Sequence, residues 1–365
     1  MDHNITIYVV IPVYNCVRYL QQAVESILSQ PYGNIRICIV DDGSKDGSGE
    51  LCDTLAAAET RIHVIHQPNA GVSEARNAGI DYVISVADIR KDYIVFCDAD
   101  DLWVPNAITE DFFKNRDDYD MYIFNMLGSN QEMDRFRILT SYQDEDITDT
   151  PAIIWEWASF FVCHLYSCAL ISKYNIRFST LTKYVEDRMF DSVCLYLSDK
   201  VHRCSRYLYI YRYNSSSAMH TKNRFSKIDY FSQIINGWIE TDQIINSWKE
   251  ETGKTSRMGY TLASIYFMDM AAEHYQRWGS RKKIEAVLRS HPYYYLFENM
   301  VEKDVSPAQY RNHLLMKSRP AAFCIRNYIA GIRVFILELL FRIPLVKKMH
   351  LNKKYHLTVM PVNEE

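Results

Sequence analysis

Three aspartates stand within four positions at the end of an apolar segment. The stretch YIVFCDADDLWVP, residues 93–105, runs from a strand-like segment into Asp98, Asp100 and Asp101. Carboxylates this close repel one another, so the fold must relieve the repulsion. Mg²⁺ and Mn²⁺ take oxygen ligands, often one or two carboxylates together with substrate phosphates. The Asp98-Ala99-Asp100 spacing therefore predicts a divalent-metal site just beyond a strand, with Mn²⁺ or Mg²⁺ as the cofactor.

Two earlier apolar segments also end in polar residues. The β-branched runs ITIYVVI, residues 5–11, and IRICIV, residues 35–40, are followed by PVYN and DDGS. Such continuous runs are typical of strands buried on both faces. In an open parallel sheet, ligands bind beyond the carboxyl ends of the strands. The chain has no G-x-G-x-x-G and no Walker-type G-x-x-x-x-G-K-[ST] phosphate loop, so a metal ion is the expected partner of any phosphate bound there.

Segments with helical spacing separate these strands. Apolar residues recur at this spacing between positions 17 and 28, and two further helices are predicted, the second over 75–86, with a third strand, IHVI, between them. Strands that alternate with helices predict an α/β fold with a mostly parallel sheet. Beyond Asp120 the pattern changes. MYIFNM and RYLYIYRYN predict strands, and the chain from about Lys227 onward is predicted to be helical.

Composition indicates a globular protein of more than one domain. The chain has 365 residues, 48% of them hydrophobic and 24% charged. Its net charge of −4 is too small to favour nucleic acid as a partner. The nine cysteines form no C-x-x-C pair, and the N-terminus has no features of a signal peptide. We therefore expect reduced core cysteines and a cytoplasmic protein.

The C-terminal tail has a charge opposite to that of the body. From Lys317 to Lys354 the chain carries nine Lys or Arg and one acid, Glu338, which leaves −12 for the remainder. The charged residues of the tail fall on about half of a helical wheel, and Ile, Val, Leu and Phe occupy the other half. This pattern predicts membrane-surface contact through residues 317–354, on the inner face of the cell membrane. The alternative is a helix packed on the protein body or on a dimer partner.

The motifs together resemble a known enzyme family. VVIPVYNCVRYLQQAVESILSQ, IVDDGSKDGS, NAGVSEARNAG and FCDADDLW occur in the order and spacing of family 2 glycosyltransferases. The match is close over roughly the first 110 residues and resumes weakly at VEDRMF and LYIYRYNSSSAMH. The resemblance implies a GT-A fold, a Rossmann-like mostly parallel sheet flanked by helices, with a helical C-terminal extension. It also implies inverting sugar transfer from a nucleotide sugar, with a UDP-sugar as the expected donor and a glycan or lipid-linked acceptor in surface polysaccharide synthesis.

The resemblance also assigns roles to individual residues. Asp187, in the E-D motif, corresponds to the catalytic base. His220 lies where many GT-A enzymes place a late metal ligand, beside the Asp98 and Asp100 pair. The residues that it places at the donor are Pro12, Val13, Tyr14, Asp41, Asp42, Arg76, Asp98 and Ala99.

The sequence leaves two other functions open. A haloacid-dehalogenase-like phosphatase would use Asp98 as a nucleophile, although its D-x-D normally ends the first strand, and Leu102 replaces its usual Thr or Val. A non-catalytic sugar-nucleotide or glycan-binding module is the second alternative. The predicted organisation is a glycosyltransferase domain at 1–225, with a nucleotide-sugar half at 1–110 and an acceptor half at 111–225. A helical region at 226–316 and the basic tail at 317–365 follow.

Overall fold

The computed structural model describes residues 5–114, 119–147, 160–213 and 228–257, together with residues 259, 261–263, 289 and 294–295. Clustering of backbone contacts divides the chain into two compact units. The first comprises Met1–His220 and Ile244–Lys254, and the second comprises Thr221–Gln243 and Thr255–Glu365. The predicted subdivision at residues 110, 225 and 316 stays a prediction.

The first four strands form the parallel part of the sheet, as the sequence predicts. They are β1 (Ile7–Val13), β2 (Ile35–Asp41), β3 (Ile62–His66) and β4 (Tyr93–Phe96). The helices α1 (Leu20–Leu28), α2 (Ser48–Ala58) and α3 (Val72–Val86) connect them in turn. Strand β1 pairs in parallel with both β2 and β4, and β2 pairs in parallel with β3. Most residues of β1, β2 and β4 are buried, because helices cover both faces of a parallel sheet.

The second half of the sheet mixes parallel and antiparallel strands. It contains β5 (Leu102–Trp103), β6 (Met121–Ser129), β7 (Phe136–Ile138), β8 (Glu145–Ile147), β9 (His164–Ser167) and β10 (Val201–Arg212). The strand order is β3-β2-β1-β4-β9-β6-β10-β5, and β7 and β8 pair with β6 and β10. Strand β9 is antiparallel to both β4 and β6, whereas β6 and β10 are parallel. The predicted α/β fold is confirmed, and its parallel character is strongest in the first half.

Three shorter elements complete the first unit around this half. A single 3-10 turn, Phe161–Cys163, precedes β9, and α4 (Cys168–Lys173) and α5 (Glu186–Leu197) follow it. The core there is aromatic: the rings of Phe178 and Phe190 stack with centroids 4.0 Å apart, and Phe96 meets both edge-to-face. This cluster packs β4 against α5 and fixes the position of the loop between α4 and α5, which carries Phe178.

The chain beyond β10 contributes α6 (Ile228–Ser247) and α7 (Lys249–Thr252). Within the second unit, the side chain of Asp242 accepts hydrogen bonds from the Ser256 hydroxyl and the Gly259 backbone N–H. A side chain at Gly259 would collide with the backbone of Trp238, so only glycine fits there. No helix among the described residues is long and apolar enough to cross a bilayer. The predicted tail, residues 317–365, lies outside the described residues.

Candidate active site

The carboxyl ends of β1, β2 and β4 meet at one edge of the sheet. Val13 is aligned with Asp41 across the β1–β2 pair, and Val10 is aligned with Phe96 across the β1–β4 pair. The three polar clusters that the sequence singles out therefore share an edge, as predicted. Gly79 allows this arrangement, since a Cβ there would lie 2.3 Å from a methyl group of Val10, so α3 can pack directly on β1.

Asp101 is the structural member of the three crowded aspartates. It is buried, and its two oxygens accept 2.7 Å hydrogen bonds from the Tyr209 hydroxyl and the Arg212 backbone N–H. Burial, followed by repulsion from Asp100 and Asp98, raises the pKa of Asp101 well above its usual value. The two hydrogen bonds from β10 are part of the answer to the crowding, because they stabilise the Asp101 carboxyl.

The C-terminal end of β10 holds the aspartate turn in place. The Arg212 side chain donates from Nε to the Asp100 carbonyl oxygen at 2.7 Å, and from its two amino groups to the Gln131 carbonyl and the Gln22 side chain. The Tyr209 hydroxyl also accepts a hydrogen bond from the Asp98 backbone N–H. Strand β10 thus fixes the backbone of the turn, and the side chains of Asp98 and Asp100 remain partly exposed.

Arg76 links the aspartate turn to the E-D motif. Its amino groups donate to Asp98 at 3.0 Å and to Glu186 at 3.1 Å, although the three residues are widely separated in the sequence. The guanidinium also lies over the rings of Phe161 and Phe178, 4.6 and 5.1 Å from their centroids. Arg76 therefore also relieves the repulsion among the three aspartates, because its guanidinium pairs with Asp98 directly.

Asp187 lies in the first turn of α5, next to Glu186. Val185, immediately before the helix, has φ of 56°, which is an uncommon conformation for a β-branched residue and is found where packing imposes it. Burial raises the pKa of Asp187 to about 6, Glu186 adds to the rise, and Arg76 opposes it. A carboxyl with such a pKa is ionised at neutral pH and is more basic than an ordinary aspartate, as a general base requires.

A buried ion pair anchors the same helix one turn later. Asp191 accepts hydrogen bonds from His164 Nδ1 and from the Tyr166 hydroxyl, both at 2.8 Å. Burial alone would lower the pKa of His164, but the Asp191 carboxylate raises it to about 10, so the imidazole is charged. Since Asp187 and Asp191 are four residues apart on α5, this pair fixes the face of the helix that carries Asp187.

The two aspartates after β2 are engaged within the protein. The Asp41 carboxylate accepts hydrogen bonds from the Ser44 backbone N–H and from His66 Nδ1, each at 3.0 Å. The other ring nitrogen of His66 lies 3.0 Å from Asp53. Burial opposes ionisation of Asp41, yet these hydrogen bonds outweigh it and lower its pKa. Hydrogen bonds to Asp53 and Asp41 raise the pKa of His66 and so favour the form in which both ring nitrogens are donors.

Asp42 organises the loop that precedes α3. Its carboxylate accepts from the Gln67 side chain and from the backbone N–H groups of Ala70 and Gly71, at 2.8 to 2.9 Å. Gly43, the next residue, has φ of 72°, and a Cβ there would lie 2.8 Å from the Asn69 nitrogen. The DDGS turn therefore requires glycine at this position.

The remaining predicted donor residues occupy the end of β1 and the aspartate turn. Pro12 is partly buried and Val13 is fully buried, whereas Tyr14 is about half exposed at 52%. Ala99 is buried between the two exposed aspartates. Tyr14 is thus the member of this group whose side chain presents a large surface to solvent at the edge where the clusters meet.

Known proteins share both the sequence and the fold. The profile of glycosyl transferase family 2 matches residues 8–174. Glycosyltransferase GlyG of Streptococcus pneumoniae serotype 4 is 32% identical over 228 residues, which cover 59% of this chain and 73% of GlyG. The chain belongs to glycosyl transferase family 2. Glycosyltransferase GlyA of the same organism is 30% identical over 236 residues, and the match spans 60% of this chain but 32% of GlyA.

The fold of this glycosyltransferase also matches solved structures. The crystal structure of Staphylococcus aureus TarS residues 1–349 in complex with UDP-GlcNAc has a TM-score of 0.53 and 16% sequence identity. The match covers 87% of this chain and 92% of that one. At this identity the likeness establishes the shared fold. Membership of the family favours glycosyl transfer over the phosphatase and the non-catalytic module.

The exposed aspartates of the glycosyltransferase fit one kind of metal site. Within the described ranges, no group of three His, Cys, Asp or Glu side chains is arranged to hold an ion. Asp98 and Asp100 are partly exposed, whereas Asp101 is buried and engaged with β10. This set fits an ion that shares its coordination with substrate phosphates and water, as Mg²⁺ commonly does. His220, the third predicted ligand, lies outside the described residues.

Several site residues could not be found from the sequence. Glu186 as a partner of Arg76, Asp191 as a partner of His164, and Tyr209 as a partner of Asp101 are each far from that partner along the chain. The one local signal was the third acid of DADD, which is one more than a metal pair needs. This third carboxylate accepts hydrogen bonds from two residues at the end of β10.

Proposed function

We propose that this glycosyltransferase transfers a sugar from a UDP-sugar to a hydroxyl group of a glycan or lipid-linked acceptor in surface polysaccharide synthesis, in a metal-dependent reaction with inversion. The observation that carries the proposal is the junction of Asp98, Arg76 and Glu186. The junction supports the proposal because it links Asp98, a predicted donor residue, to Glu186, which precedes the predicted base Asp187. The binding of UDP-GlcNAc by TarS, which has the same fold, supports a uridine nucleotide as the donor.

The donor would lie along the edge formed by β1, β2 and β4. The exposed ring of Tyr14 would face the uracil of the donor, and Pro12 and Val13 lie behind this ring. Asp41 can accept the N3–H of uracil, because an ionised carboxylate has about four acceptor positions and Asp41 uses two of them here. Asp42 would contribute by holding the loop at residues 67–71, because its carboxylate already accepts three hydrogen bonds from that loop.

Asp98 and Asp100 would hold the divalent ion, with Ala99 between them. When bound, Mn²⁺ or Mg²⁺ would neutralise the diphosphate leaving group. Arg212 and Tyr209 keep the two carboxylates at this position through the backbone of the turn. His220 is a further proposed ligand.

Asp187 would act as the general base. It would accept the proton of an acceptor hydroxyl while the oxygen of that hydroxyl attacks the anomeric carbon from the face opposite the diphosphate. The new carbon–oxygen bond forms as the sugar–phosphate bond breaks, so the configuration inverts and no covalent enzyme intermediate arises. The hydrophobic surroundings of α5 favour this role, since they make Asp187 more basic than an exposed aspartate.

Replacement of the base tests this proposal. Asp187→Asn keeps the shape and removes the basicity, so turnover should fall by about two to four orders of magnitude while UDP-sugar affinity stays unchanged. Wild-type turnover should also fall as the pH drops below the raised pKa of Asp187, about 6, because protonation removes the base. The measurements are calorimetric UDP-sugar affinity and metal-dependent release of UDP from UDP-sugars across pH.

Two outcomes would contradict the assignment. Near-normal turnover in Asp187→Asn would move the base elsewhere. Lost donor affinity with a preserved fold would make Asp187 a binding residue. Asp199→Asn is a matched control, since Asp199 is an exposed aspartate beyond the end of α5 and should leave turnover unchanged.

The basic tail is proposed to contact an anionic membrane surface. The charge of residues 317–354 and their apolar face occur together in the sequence. Full-length protein should float with anionic vesicles, and a variant with Lys347, Lys348, Lys353 and Lys354 changed to Glu should not, while UDP binding persists. Equal flotation of the two proteins would instead favour packing of the tail on the protein body or on a second subunit.

A further inference from the structure

We propose that Arg76 is a positioning residue that ties the aspartate turn to the catalytic end of α5, and that it does not itself bind the donor. This inference rests on the proposed function, and it deepens that function. The family resemblance places Arg76 near the nucleotide. The contacts of its guanidinium indicate that its effect on the nucleotide passes through Asp98.

The guanidinium of Arg76 lies beside two aromatic rings and has a partner at each amino group. The centroids of the Phe161 and Phe178 rings lie 4.6 and 5.1 Å from its central carbon, and Asp98 and Glu186 accept hydrogen bonds from its amino groups. The residue is 4% exposed, and its Nε is buried without a hydrogen-bond partner in the described structure. A phosphate oxygen must reach an N–H to bind arginine. The Arg76 side chain is 5% exposed, so it offers a phosphate little access to its nitrogens.

The same contacts make Arg76 the meeting point of separate segments. Arg76 lies on α3, Asp98 follows β4, Glu186 begins α5, and the two rings come from the segments on either side of α4. Arg76 forms ion pairs with both the aspartate turn and the first turn of α5. A shift of either segment would therefore have to break a buried ion pair or leave a buried charge unpaired, which proteins strongly disfavour.

This geometry has a consequence for catalysis. Asp98 faces the donor diphosphate, and Asp187 faces the acceptor hydroxyl that attacks on the other side of the sugar. The planar guanidinium of Arg76 bridges Asp98 and Glu186. It therefore fixes the distance between the part of the site that holds the leaving group and the part that holds the general base. Displacement of reacting groups by about 1 Å can reduce the rate by about 100-fold. Arg76 is thus suited to preserve alignment, and lysine cannot replace it because a single ammonium does not form a planar fork.

Three variants test the proposal against direct phosphate binding. Arg76→Lys keeps a charge and should fold, and Arg76→Met removes the charge. Combining Arg76→Met with Glu186→Gln removes one of the carboxylates that would otherwise face a missing cation. With the UDP-sugar that wild-type enzyme hydrolyses fastest, Arg76→Lys and Arg76→Met should each lower kcat by about 100-fold. The double variant should be no slower than Arg76→Met, because both substitutions disrupt the same ion pair between Arg76 and Glu186.

Two further readings distinguish positioning from a merely structural role. The acid limb of the kcat–pH profile should move to higher pH in Arg76→Met, because Arg76 opposes the pKa rise that burial and Glu186 impose on Asp187. In EDTA, ligand-observed NMR should show the affinities for UDP and uridine falling by the same factor in Arg76→Lys. A phosphate contact would weaken UDP binding alone.

The outcomes are separable. Wild-type enzyme that hydrolyses no UDP-sugar overturns the proposed function, and the variants are then not needed to show it. Active wild-type enzyme with unaltered kcat in Arg76→Lys and Arg76→Met overturns the positioning role. So does a tenfold or greater selective loss of UDP over uridine affinity, or a double variant that is clearly slower than Arg76→Met. A folded Arg76→Lys variant with reduced kcat and matched UDP and uridine affinities supports it.

Discussion

The ends of β2 and β4 use paired aspartates in opposite ways. After β2, Asp41 and Asp42 are both buried, and protein groups donate hydrogen bonds to both side chains. After β4, Asp101 alone is buried, whereas Asp98 and Asp100 keep partial exposure. The carboxylates of the first pair are held within the protein, and those of Asp98 and Asp100 remain accessible to a ligand. Residue type alone does not distinguish these roles, because the surrounding donors decide them.

The difference also shows how a protein accommodates crowded acids. Around β2, backbone N–H groups and His66 supply the compensation, so the carboxylates can remain charged within the protein. Around β4, Arg76 pairs with Asp98, and burial raises the pKa of Asp101. The remaining charge is directed at the edge of the sheet, where a cation or a cation-bound phosphate would be attracted to it.

The sharpest test of the comparison replaces one carboxylate oxygen with an amide nitrogen at each of two neighbouring positions in the turn after β4. Asp100→Asn should leave stability unchanged and weaken Mn²⁺-dependent UDP affinity by about 100-fold, the upper range for losses at a metal site. Asp101→Asn should reduce the free energy of unfolding by about 1–3 kcal/mol, because its amide would face the Arg212 N–H or the Tyr209 hydroxyl. Calorimetry and urea denaturation of both variants measure the two effects.

A reversal of this pattern would break the comparison. Unchanged metal-dependent UDP affinity in Asp100→Asn would remove it from the proposed metal site. A fully stable Asp101→Asn variant would show that its hydrogen bonds to β10 are dispensable.

A smaller effect is expected at the β2 end, where Asp42 has three donors. Asp42→Asn would turn an amide toward N–H groups of the loop, and we expect a loss of about 2 kcal/mol in unfolding free energy. Faster hydrogen exchange at Ala70 and Gly71 should accompany it. Gln67→Leu is the matched control, since it removes one side-chain donor and leaves the backbone donors paired. Normal exchange at both glycine and alanine amides in Asp42→Asn would argue against this role.

The smallest expected effect is the pH dependence of the Asp41–His66 contact. Hydrogen bonds to Asp53 and then Asp41 raise the pKa of His66, so its stabilising contribution is complete below about pH 6.5 and is lost as the pH rises through the raised pKa. The lowered pKa of Asp41 means that its own contribution disappears only in acid, as the pH falls through that value. The pair should therefore stabilise the fold most in the interval between these two pKa values.

Comparison of wild type with His66→Gln measures this contribution. The difference in unfolding free energy should stay below about 1 kcal/mol, because the imidazole is about half exposed and solvent screens it. It should shrink on the alkaline side of neutrality. A difference that is constant from about pH 6 to about pH 9 would show that the charge of His66 does not matter.

The sequence predicted what local pattern can encode. Continuous β-branched runs identified β1 and β2, and the polar residues after them identified the edge where the site lies. It could not reveal that β9 enters the sheet antiparallel between β4 and β6, because four residues carry too little periodicity. VEDRMF indicated the E-D motif, but not that this motif begins α5 or which contacts its first turn makes.

Side-chain partners were the main information that the sequence lacked. Arg76 and Glu186 each look like a solvated helix charge in isolation, and only the fold places them 3.1 Å apart. The same holds for His164 and Asp191, which read as ordinary polar residues until burial brings them together. Pairs that are distant along the chain leave no local periodic signal, so a single sequence cannot specify them.

Strand β9 gives the order of the sheet a consequence for synthesis. A ribosome completes β4 at Phe96 long before His164–Ser167 exist, and those four residues close the edge of β4. Until then the first half of the emerging sheet carries an unpaired, wholly apolar edge strand, which is a template for aggregation. Translation past residue 167 is therefore the step at which this half of the nascent chain can become self-contained.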